Sequence, residues 1–250
     1  MQEQINVVWL KRDLRLTDHA PLQAAIHGGL PVLLLYLFEP KLMAAPDSAP
    51  RHWCFAYEAV TELQQELRQQ GRQLYSLYAD ALFVFEQLTE VFLIHTVFSH
   101  EETGNAASYE RDKRVGAYLK QKGIVWHEFP TNGVQRGIRN RVGWSRNWHR
   151  IMHQQIGTVE QEKLKTVFLP ENLAHLVSQN HLPQQLPPRP AFMQPGGCRA
   201  ALQYLNSFLE ERCAAYSRHI SKPEASRKSC SRLSPYMAYG NISIRQVYQA

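Results

Sequence analysis

Five short apolar runs alternate with longer amphipathic segments between residues 1 and 130. Each run has the length of a buried strand and is rich in β-branched or aromatic residues. The predicted strands are Ile5–Leu10, Leu30–Phe38, Gln73–Tyr78, Ile94–Ser99 and Ile124–Phe129. The second run is apolar throughout, as in a strand covered on both faces, and the more polar third run is predicted at an edge.

Four segments between these runs have the apolar spacing of amphipathic helices. They are Pro21–His27, Arg51–Gln70, Ala81–Val91 and Tyr109–Gln121. Asp18 or Thr17 is the predicted N-cap of the first helix. Alternation of strand and helix predicts an α/β fold with a five-stranded, doubly wound parallel sheet. The loop Lys11–His19 would then lie at the carboxyl end of the first strand, where ligand-binding residues usually collect.

The pattern changes after residue 130, where prolines between 183 and 195 indicate a long irregular connection. Within it, Gly143–Arg150 interleaves tryptophan with arginine. We interpret it as a connector anchored by its tryptophans, with nucleobase stacking as the alternative. Helices are predicted over Cys198–Cys213 and from Ser243 onward. The division is residues 1–130 as an α/β domain, 131–195 as a linker and 196–250 as the beginning of a helical domain, and we expect the chain to be a fragment.

The 250 residues carry 28 basic and 22 acidic side chains, a net charge of +6. The excess is uneven, because five arginines and no carboxylate lie between Glu128 and Glu160. This indicates a polyanion such as nucleic acid, or alternatively a solvated face or ion pairs at a domain interface. Four scattered cysteines without metal-ligand spacing predict free thiols in a reducing compartment. We therefore expect a cytoplasmic monomer without a metal site or a membrane segment.

The stretch Tyr216–Ser243 is dense in serine, arginine and lysine, and Glu224 is its only carboxylate. At its centre, Cys230–Pro235 places two hydroxyl groups around an arginine. Small hydroxyl residues and free backbone N–H groups at the start of a helix suit the oxygens of a phosphate or diphosphate. A basic surface loop between two helices is the alternative. Gly240–Ser243 is typical of a turn followed by an N-cap.

Several of these segments together resemble the photolyase/cryptochrome family. Val8–His19 is similar to the opening of that family, with His19 in place of the usual asparagine. Cys230–Pro235 followed by Gly240–Ser243 is similar to the flavin-phosphate segment, with Cys230 in place of the usual threonine. Glu102–Gly104, Tyr109–Asp112 and Asn132–Val134 with Arg136 also resemble family motifs, so the likeness runs from end to end.

The resemblance implies an antenna domain, a linker and an all-helical domain that holds FAD. By position, the implied FAD-binding residues are Tyr216, Cys230, Ser231, Leu233 and Ser234. Arg232 is expected to form an ion pair within the helical domain rather than to contact phosphate. No catalytic residue of the family is expected in this chain. A second, antenna chromophore is possible, and Ala107 and Ser108 do not provide the Asn-Glu pair of folate-binding members.

The implied activity is that of a deoxyribodipyrimidine photolyase, in which excited reduced FAD transfers an electron to a pyrimidine dimer flipped out of damaged DNA. The alternative within the family is a cryptochrome, a blue-light photoreceptor without repair activity. A third interpretation is a nucleotide-binding α/β module with an arginine-rich, RNA-binding tail. Because the segments around the flavin ring come later in the family, we expect these 250 residues alone to bind FAD weakly or not at all, and to repair nothing.

Overall fold

A parallel sheet of five strands forms the centre of the amino-terminal half in the computed structural model, which describes residues 2–250. The strands are β1 (Gln4–Leu10), β2 (Val32–Phe38), β3 (Leu74–Tyr78), β4 (Leu93–His100) and β5 (Val125–Phe129). Their order is β3-β2-β1-β4-β5, so the direction of winding reverses between β1 and β4. The predicted doubly wound parallel sheet is confirmed, as is the edge position of its third strand.

Five helices surround the sheet on its two faces. They are α1 (Ala20–His27), α2 (Pro40–Met43), α3 (Pro50–Gln69), α4 (Ala81–Val91) and α5 (Ala106–Gln121). Apolar residues of α1 and α3 share one core cluster with alternate residues of β1 and β2. The other faces of the same strands pack with α4 and α5. Every residue of β2 is therefore buried, which explains its uninterrupted apolar run.

The N-cap of α1 is His19, so the prediction of Asp18 or Thr17 is wrong. The backbone N–H of Leu22 donates to Nδ1 of His19 over 3.1 Å. Asp18 adopts a left-handed backbone conformation with φ of 54°. Its side chain instead accepts a hydrogen bond from the N–H of Gly157 at 3.1 Å. The carboxylate that would usually cap the helix thus holds a distant segment in place.

Residues 131–195 follow the sheet as a mixture of short helices and irregular chain. They contain α6 (Trp144–Met152), α7 (Leu182–Gln185) and three short 3₁₀ turns. The segment pairs with β3 at one antiparallel bridge between Leu77 and Val177, where the hydroxyls of Ser76 and Ser178 lie 2.6 Å apart. The predicted irregular connection therefore includes a regular helix and covers one edge of the sheet.

The carboxyl-terminal part is built from five helices. Among residues 2–250, no helix has the length and apolar character needed to cross a membrane. The five helices are α8 (Cys198–Glu210), α9 (Tyr216–His219), α10 (Pro223–Ser229), α11 (Ser234–Ala238) and α12 (Ile244–Gln249). α8 ends at Glu210, earlier than predicted, and a 3₁₀ turn follows it. The predicted N-cap Ser243 is confirmed, because its hydroxyl accepts from the N–H of Gln246 at 3.1 Å.

The loop that follows β1 is clasped by the turn between α11 and α12. The N–H of Leu14 donates to the carbonyl of Tyr239 at 3.0 Å, and Nη1 of Arg15 donates to the carbonyl of Gly240 at 3.1 Å. Gly240 has φ of 68°, and a Cβ at this position would lie 2.2 Å from the carbonyl oxygen of Arg12. Only glycine allows this close approach.

We expect Gly240→Ala to destabilise the fold more than substitution at an uncrowded glycine of the same conformation. Gly123 has φ of 72°, and a Cβ added there would meet no atom within 4 Å, so Gly123→Ala should cost about 1 kcal/mol. Gly240→Ala adds a backbone clash and should cost about 2 kcal/mol more. Unfolding by urea measures both values. Equal losses of unfolding free energy in the two variants would show that the backbone around Gly240 shifts to accept the added Cβ without an energetic cost.

Candidate functional site

A cavity of about 530 Å³ lies at the carboxyl ends of β1 and β2, beside the point where the strand order reverses. We call it the switch-point cavity. Crevices at this position are the usual ligand sites of doubly wound sheets. Its lining comes from the ends of β1 and β2, from α5, from α11 and from the segments around α2 and α3. These residues include Trp9, Lys11, Arg12, Tyr36, Asp47, Ser48, His52, Trp53, Glu102, Asn105, Ser108, Arg111, Ser234, Ala238 and Tyr239.

Aromatic side chains form the walls of this cavity. Trp53 is half-buried and its indole N–H donates to the hydroxyl of Ser48 at 2.6 Å, which fixes the orientation of the ring. Tyr239 belongs to the carboxyl-terminal part, and burial raises the pKa of its phenol to about 12. Flat, rigid rings of this kind offer stacking surfaces to a planar ligand.

Charged side chains form the floor, and Arg111 is at their centre. Its guanidinium contacts Glu39, lies 2.7 Å from Glu102 and 2.9 Å from Asp112. The other oxygen of Asp112 accepts from the ammonium of Lys11 at 2.6 Å. Each of these five side chains is almost completely buried. Buried charges persist only when paired in this way.

The pKa values on the floor reflect burial and pairing together. Burial lowers the pKa of Lys11, although Asp112 raises it. Burial raises the pKa of Glu39 despite the charge of Arg111. For Arg111, burial lowers the pKa, but Glu39 and the other carboxylates outweigh it and leave the pKa raised. The Lys11 ammonium also lies 4.6 Å from the centre of the Trp9 ring, a cation–π contact that joins floor and wall.

Asp13 forms a second buried polar cluster with two histidines. Its Oδ2 lies 2.9 Å from Nε2 of His19 and 2.6 Å from Nδ1 of His100, and its Oδ1 accepts from the N–H of Lys11 at 2.6 Å. Burial raises the pKa of Asp13, but the close contact with His19 and the hydrogen bond from His100 outweigh it and hold that pKa well below its ordinary value.

The residue types of this cluster resemble a metal-ligand set, and the donor atoms lie within 4.8 Å of one another. The tautomer of His19 disfavours metal binding. Because the N–H of Leu22 donates to Nδ1, the proton of the neutral ring sits on Nε2, the atom that faces Asp13. We therefore interpret the cluster as a buried polar contact group, in which Asp13 accepts hydrogen bonds from His100 and from the N–H of Lys11, with His19 close by. It borders a cavity of about 310 Å³ that is also lined by Thr131 and Arg245.

The five residues predicted to bind FAD are only partly brought together. Cys230 follows α10, the hydroxyl of Ser231 accepts from the N–H of Leu233 at 3.5 Å, and Leu233 is buried in the carboxyl-terminal core. Ser234 follows Leu233 as the first residue of α11, where it is exposed and lines the switch-point cavity. The ring of Tyr216 packs against Phe208, with ring centres 5.9 Å apart.

Arg212 organises the segment predicted to bind phosphate, and sequence reasoning missed it. Its guanidinium donates to the carbonyls of Cys230 and Ser231, the second over 3.4 Å. It directly follows Glu210 and Glu211 and lies outside the stretch Tyr216–Ser243, so the sequence offered no clear signal for it. Arg232 has φ of 59°, and its Nε donates to Gln194 at 3.2 Å. The prediction that Arg232 forms an ion pair is wrong for residues 2–250, because the side-chain partner of Arg232 is the neutral amide of Gln194.

The arginine-rich part of the linker is mostly open to solvent. Arg136 pairs with Glu101 at 3.3 Å and with Glu128 at 2.9 Å. Further along, Arg139, Arg141 and Arg146 are exposed and form no ion pair with any residue of the described range 2–250. Ion pairing at an interface therefore explains only Arg136, the first arginine of this stretch. For the other arginines, a solvated face and a polyanion-binding face stay the two interpretations.

Comparison with known proteins places the chain in a family. The family model described as DNA photolyase matches residues 6–135, more than half of the 250 residues. The chain belongs to the DNA photolyase family. The deoxyribodipyrimidine photo-lyase of Vibrio cholerae is 27% identical over 257 residues, covering 97% of this chain and 54% of that protein. The chain thus spans about half the length of the curated photolyases it matches.

Solved structures of family members have the same fold. The cryptochrome of Synechocystis sp. superposes with a TM-score of 0.80 at 19% identity, covering all of this chain and 55% of that structure. A photolyase from Sulfolobus tokodaii, solved with two FAD molecules that imply a novel light-harvesting cofactor, gives a TM-score of 0.77 at 20% identity, covering 98% of this chain and 54% of that structure. Photolyases and cryptochromes thus both resemble this member of the DNA photolyase family.

We expect the stability of this photolyase-family chain to fall as the pH decreases from 6.5 to about 4. Burial lowers the pKa of His100 to about 4, although Asp13 raises it. The unfolded chain, with an ordinary histidine, therefore binds more protons than the folded chain in this window. His100→Asn keeps a donor for Asp13 but cannot titrate, so it should flatten the decline.

Urea unfolding at several pH values between 7 and about 4 measures this slope. His175→Asn, at an exposed histidine, is the matched control and should leave the slope unchanged. If His100→Asn retained the full decline, another group would be responsible for the acid sensitivity.

Proposed function

We propose that this chain is the amino-terminal part of a light-dependent DNA repair flavoprotein that splits pyrimidine dimers. The observation that carries the proposal is the alignment of 97% of the chain with a protein named deoxyribodipyrimidine photo-lyase. When bound, reduced FAD supplies the light-driven electron transfer of such an enzyme. The protein contributes binding, orientation and exclusion of water.

The carboxyl-terminal residues fit part of an FAD site. Cys230 and Ser231 lie on a loop whose carbonyls are held by Arg212, so the loop has a defined shape. The Ser231 hydroxyl is half-buried and makes only a weak contact of 3.5 Å within the loop, which leaves it free for a phosphate oxygen. Tyr216 and Ser234 face other neighbours. We therefore propose that Cys230, Ser231 and Leu233 form the diphosphate edge, with the other two residues at its margin.

The switch-point cavity is the proposed site of a second, light-harvesting chromophore. Its volume of about 530 Å³ falls within the range of small-molecule sites. Trp53 and Tyr239 offer ring surfaces for a flat heteroaromatic group. The half-exposed guanidinium of Arg12 lines the cavity, 3.6 Å from Glu102, and would suit an anionic substituent. The precedent is the Sulfolobus tokodaii photolyase, whose structure contains two FAD molecules.

Damaged DNA is the proposed partner of the complete protein. Arg139, Arg141 and Arg146 are exposed and lie in a stretch without carboxylates, and we propose that they attract a phosphate backbone. This attraction carries no sequence or lesion specificity by itself. The cytoplasmic location and the monomeric state stay predictions from the sequence.

A cryptochrome is the second candidate, because the Synechocystis sp. cryptochrome matches the full length of this chain with a TM-score of 0.80. A photoreceptor of this kind would use the same cofactor without repairing DNA. The two candidates differ in reaction, not in fold.

The deciding experiment combines a spectrum with a repair assay. Two polypeptides are purified, the 250-residue chain and a longer form that also contains the family's segments around the flavin ring, and the absorption of each is recorded from about 300 to 500 nm, the range in which flavins absorb. Each is then reduced, mixed with DNA containing pyrimidine dimers and illuminated. We expect flavin absorption and light-dependent loss of dimers from the longer form, with no loss in the dark, and little or no flavin and no repair from the 250 residues alone. Flavin without repair would favour the cryptochrome, and flavin-independent binding to undamaged RNA would contradict both candidates.

We expect Trp53→Ala to weaken the binding of riboflavin, used as a planar probe, to the switch-point cavity. Loss of a stacking surface usually costs about 1–3 kcal/mol, which corresponds to an affinity about 5- to 150-fold weaker. Quenching of riboflavin fluorescence measures the binding. Trp144→Ala removes an exposed tryptophan outside the cavity and should change nothing. Equal affinities of the two variants would remove Trp53 from the proposed site.

A further inference from the structure

Two histidines one helical turn apart meet a tyrosine from a distant part of the chain. His149 lies in α6 and His153 is its C-cap, whereas Tyr248 lies in α12. The phenol oxygen is 3.5 Å from Nδ1 of His149 and 3.4 Å from Nε2 of His153. All three side chains are exposed, so solvent ions can reach them.

The two distances are long for hydrogen bonds and short for unrelated side chains. Hydrogen bonds between nitrogen and oxygen usually measure about 2.7–3.2 Å. Ligands of a tetrahedral metal ion, each bound at about 2.0–2.1 Å, are separated from one another by about 3.3 Å. The observed 3.4 and 3.5 Å therefore match the spacing of metal ligands better than that of a hydrogen-bonded group.

The protonation of His153 is suited to metal binding. Its Nδ1 lies 2.7 Å from the carbonyl oxygen of His149. Because a carbonyl can only accept, Nδ1 carries the proton, and the lone pair of the neutral ring is on Nε2, the atom that faces Tyr248. Metal-binding histidines are held in the same way, with the second ring nitrogen donating to a carbonyl or carboxylate.

The surroundings hold these ligands in place. The side-chain amide of Gln249 donates to the carbonyls of Met152 and Gln154 at 2.6 and 2.7 Å, which fixes α12 against the end of α6. The ring of Trp148 packs edge-on against Tyr248, with centres 5.3 Å apart. The site also lies at the carboxyl end of α6, where the partial negative charge of a helix favours a cation.

We propose that His149, His153 and Tyr248 bind one divalent transition-metal ion, Zn²⁺ or Cu²⁺. Nδ1 of His149, Nε2 of His153 and the phenolate oxygen would be the protein ligands, and water would complete the coordination. Binding releases the phenol proton to solvent. Two imidazole ligands favour a transition-metal ion over Mg²⁺ and Ca²⁺, which prefer oxygen ligands.

A bound ion would join the linker to the carboxyl-terminal helices. His149 and His153 belong to the linker, and Tyr248 is separated from them by 99 and 95 positions. An ion that binds only the folded arrangement stabilises it by mass action. The ion is therefore a structural tie between these two parts and plays no part in light-driven chemistry.

The test is titration of the metal-free chain with Zn²⁺ and, separately, with Cu²⁺, using calorimetry and thermal unfolding. We expect one bound ion and a higher unfolding temperature. His149→Ala and His153→Ala should each weaken affinity by about tenfold or more. Tyr248→Phe should weaken binding and abolish the visible phenolate-to-copper absorption of the Cu²⁺ form. Circular dichroism of each variant verifies folding.

His175→Ala, at an exposed histidine remote from the cluster in sequence, is the matched control and should bind as the unchanged chain does. The proposal is overturned if the chain shows no saturable binding, or if His149→Ala and His153→Ala keep full affinity. It is also overturned in its assignment of Tyr248 if Tyr248→Phe retains both affinity and absorption. Mg²⁺ should produce neither binding nor a change in unfolding temperature.

Discussion

A buried loop that needs hydrogen-bond partners ties the two ends of the chain together. The segment after β1 runs through the interior, where each unpaired backbone group would cost about 1–3 kcal/mol. Its partners come from residues more than 200 positions away, because Leu14 and Arg15 donate to the carbonyls of Tyr239 and Gly240. The same turn brings Tyr239 to the wall of the switch-point cavity. Formation of the fold and closure of the cavity thus depend on one set of contacts.

The buried charges beside the point where the strand order reverses are neutralised by neighbouring charges of opposite sign. Arg111 neutralises carboxylates that would otherwise be unpaired in the interior, and Lys11 shares Asp112 with it. Pairs buried so deeply add little stability compared with apolar residues of the same volume. Their effect is orientation, because each charged group is held by at least one short contact. The cavity consequently has a rigid ionic floor below aromatic walls, an arrangement that distinguishes the polar edge of a flat ligand from its faces.

The sheet could be predicted because each strand is a separate apolar run, and α4 has the predicted bounds Ala81–Val91. Local sequence failed where tertiary contacts decide. A helix was not predicted at α6, because tryptophans and arginines interrupt its apolar spacing. Asp18 was predicted as an N-cap, but its backbone is left-handed and its side chain accepts a hydrogen bond from Gly157 instead. The charged floor of the cavity could not be predicted from the sequence, because Glu39 and Arg111 are 72 positions apart and neither segment shows that the other is its partner.

The linker has a role beyond connecting two parts. It lies along β3, where it pairs Leu77 with Val177 and joins Ser76 to Ser178. An edge strand with unpaired N–H and C=O groups is a template for association with other chains. By pairing with that edge, the linker reduces the backbone surface available for strand pairing with other chains. Linker residues such as Leu164 and Leu173 are also buried in the cores on the two faces of the sheet, so cleavage within the linker would expose the edge and loosen the packing together.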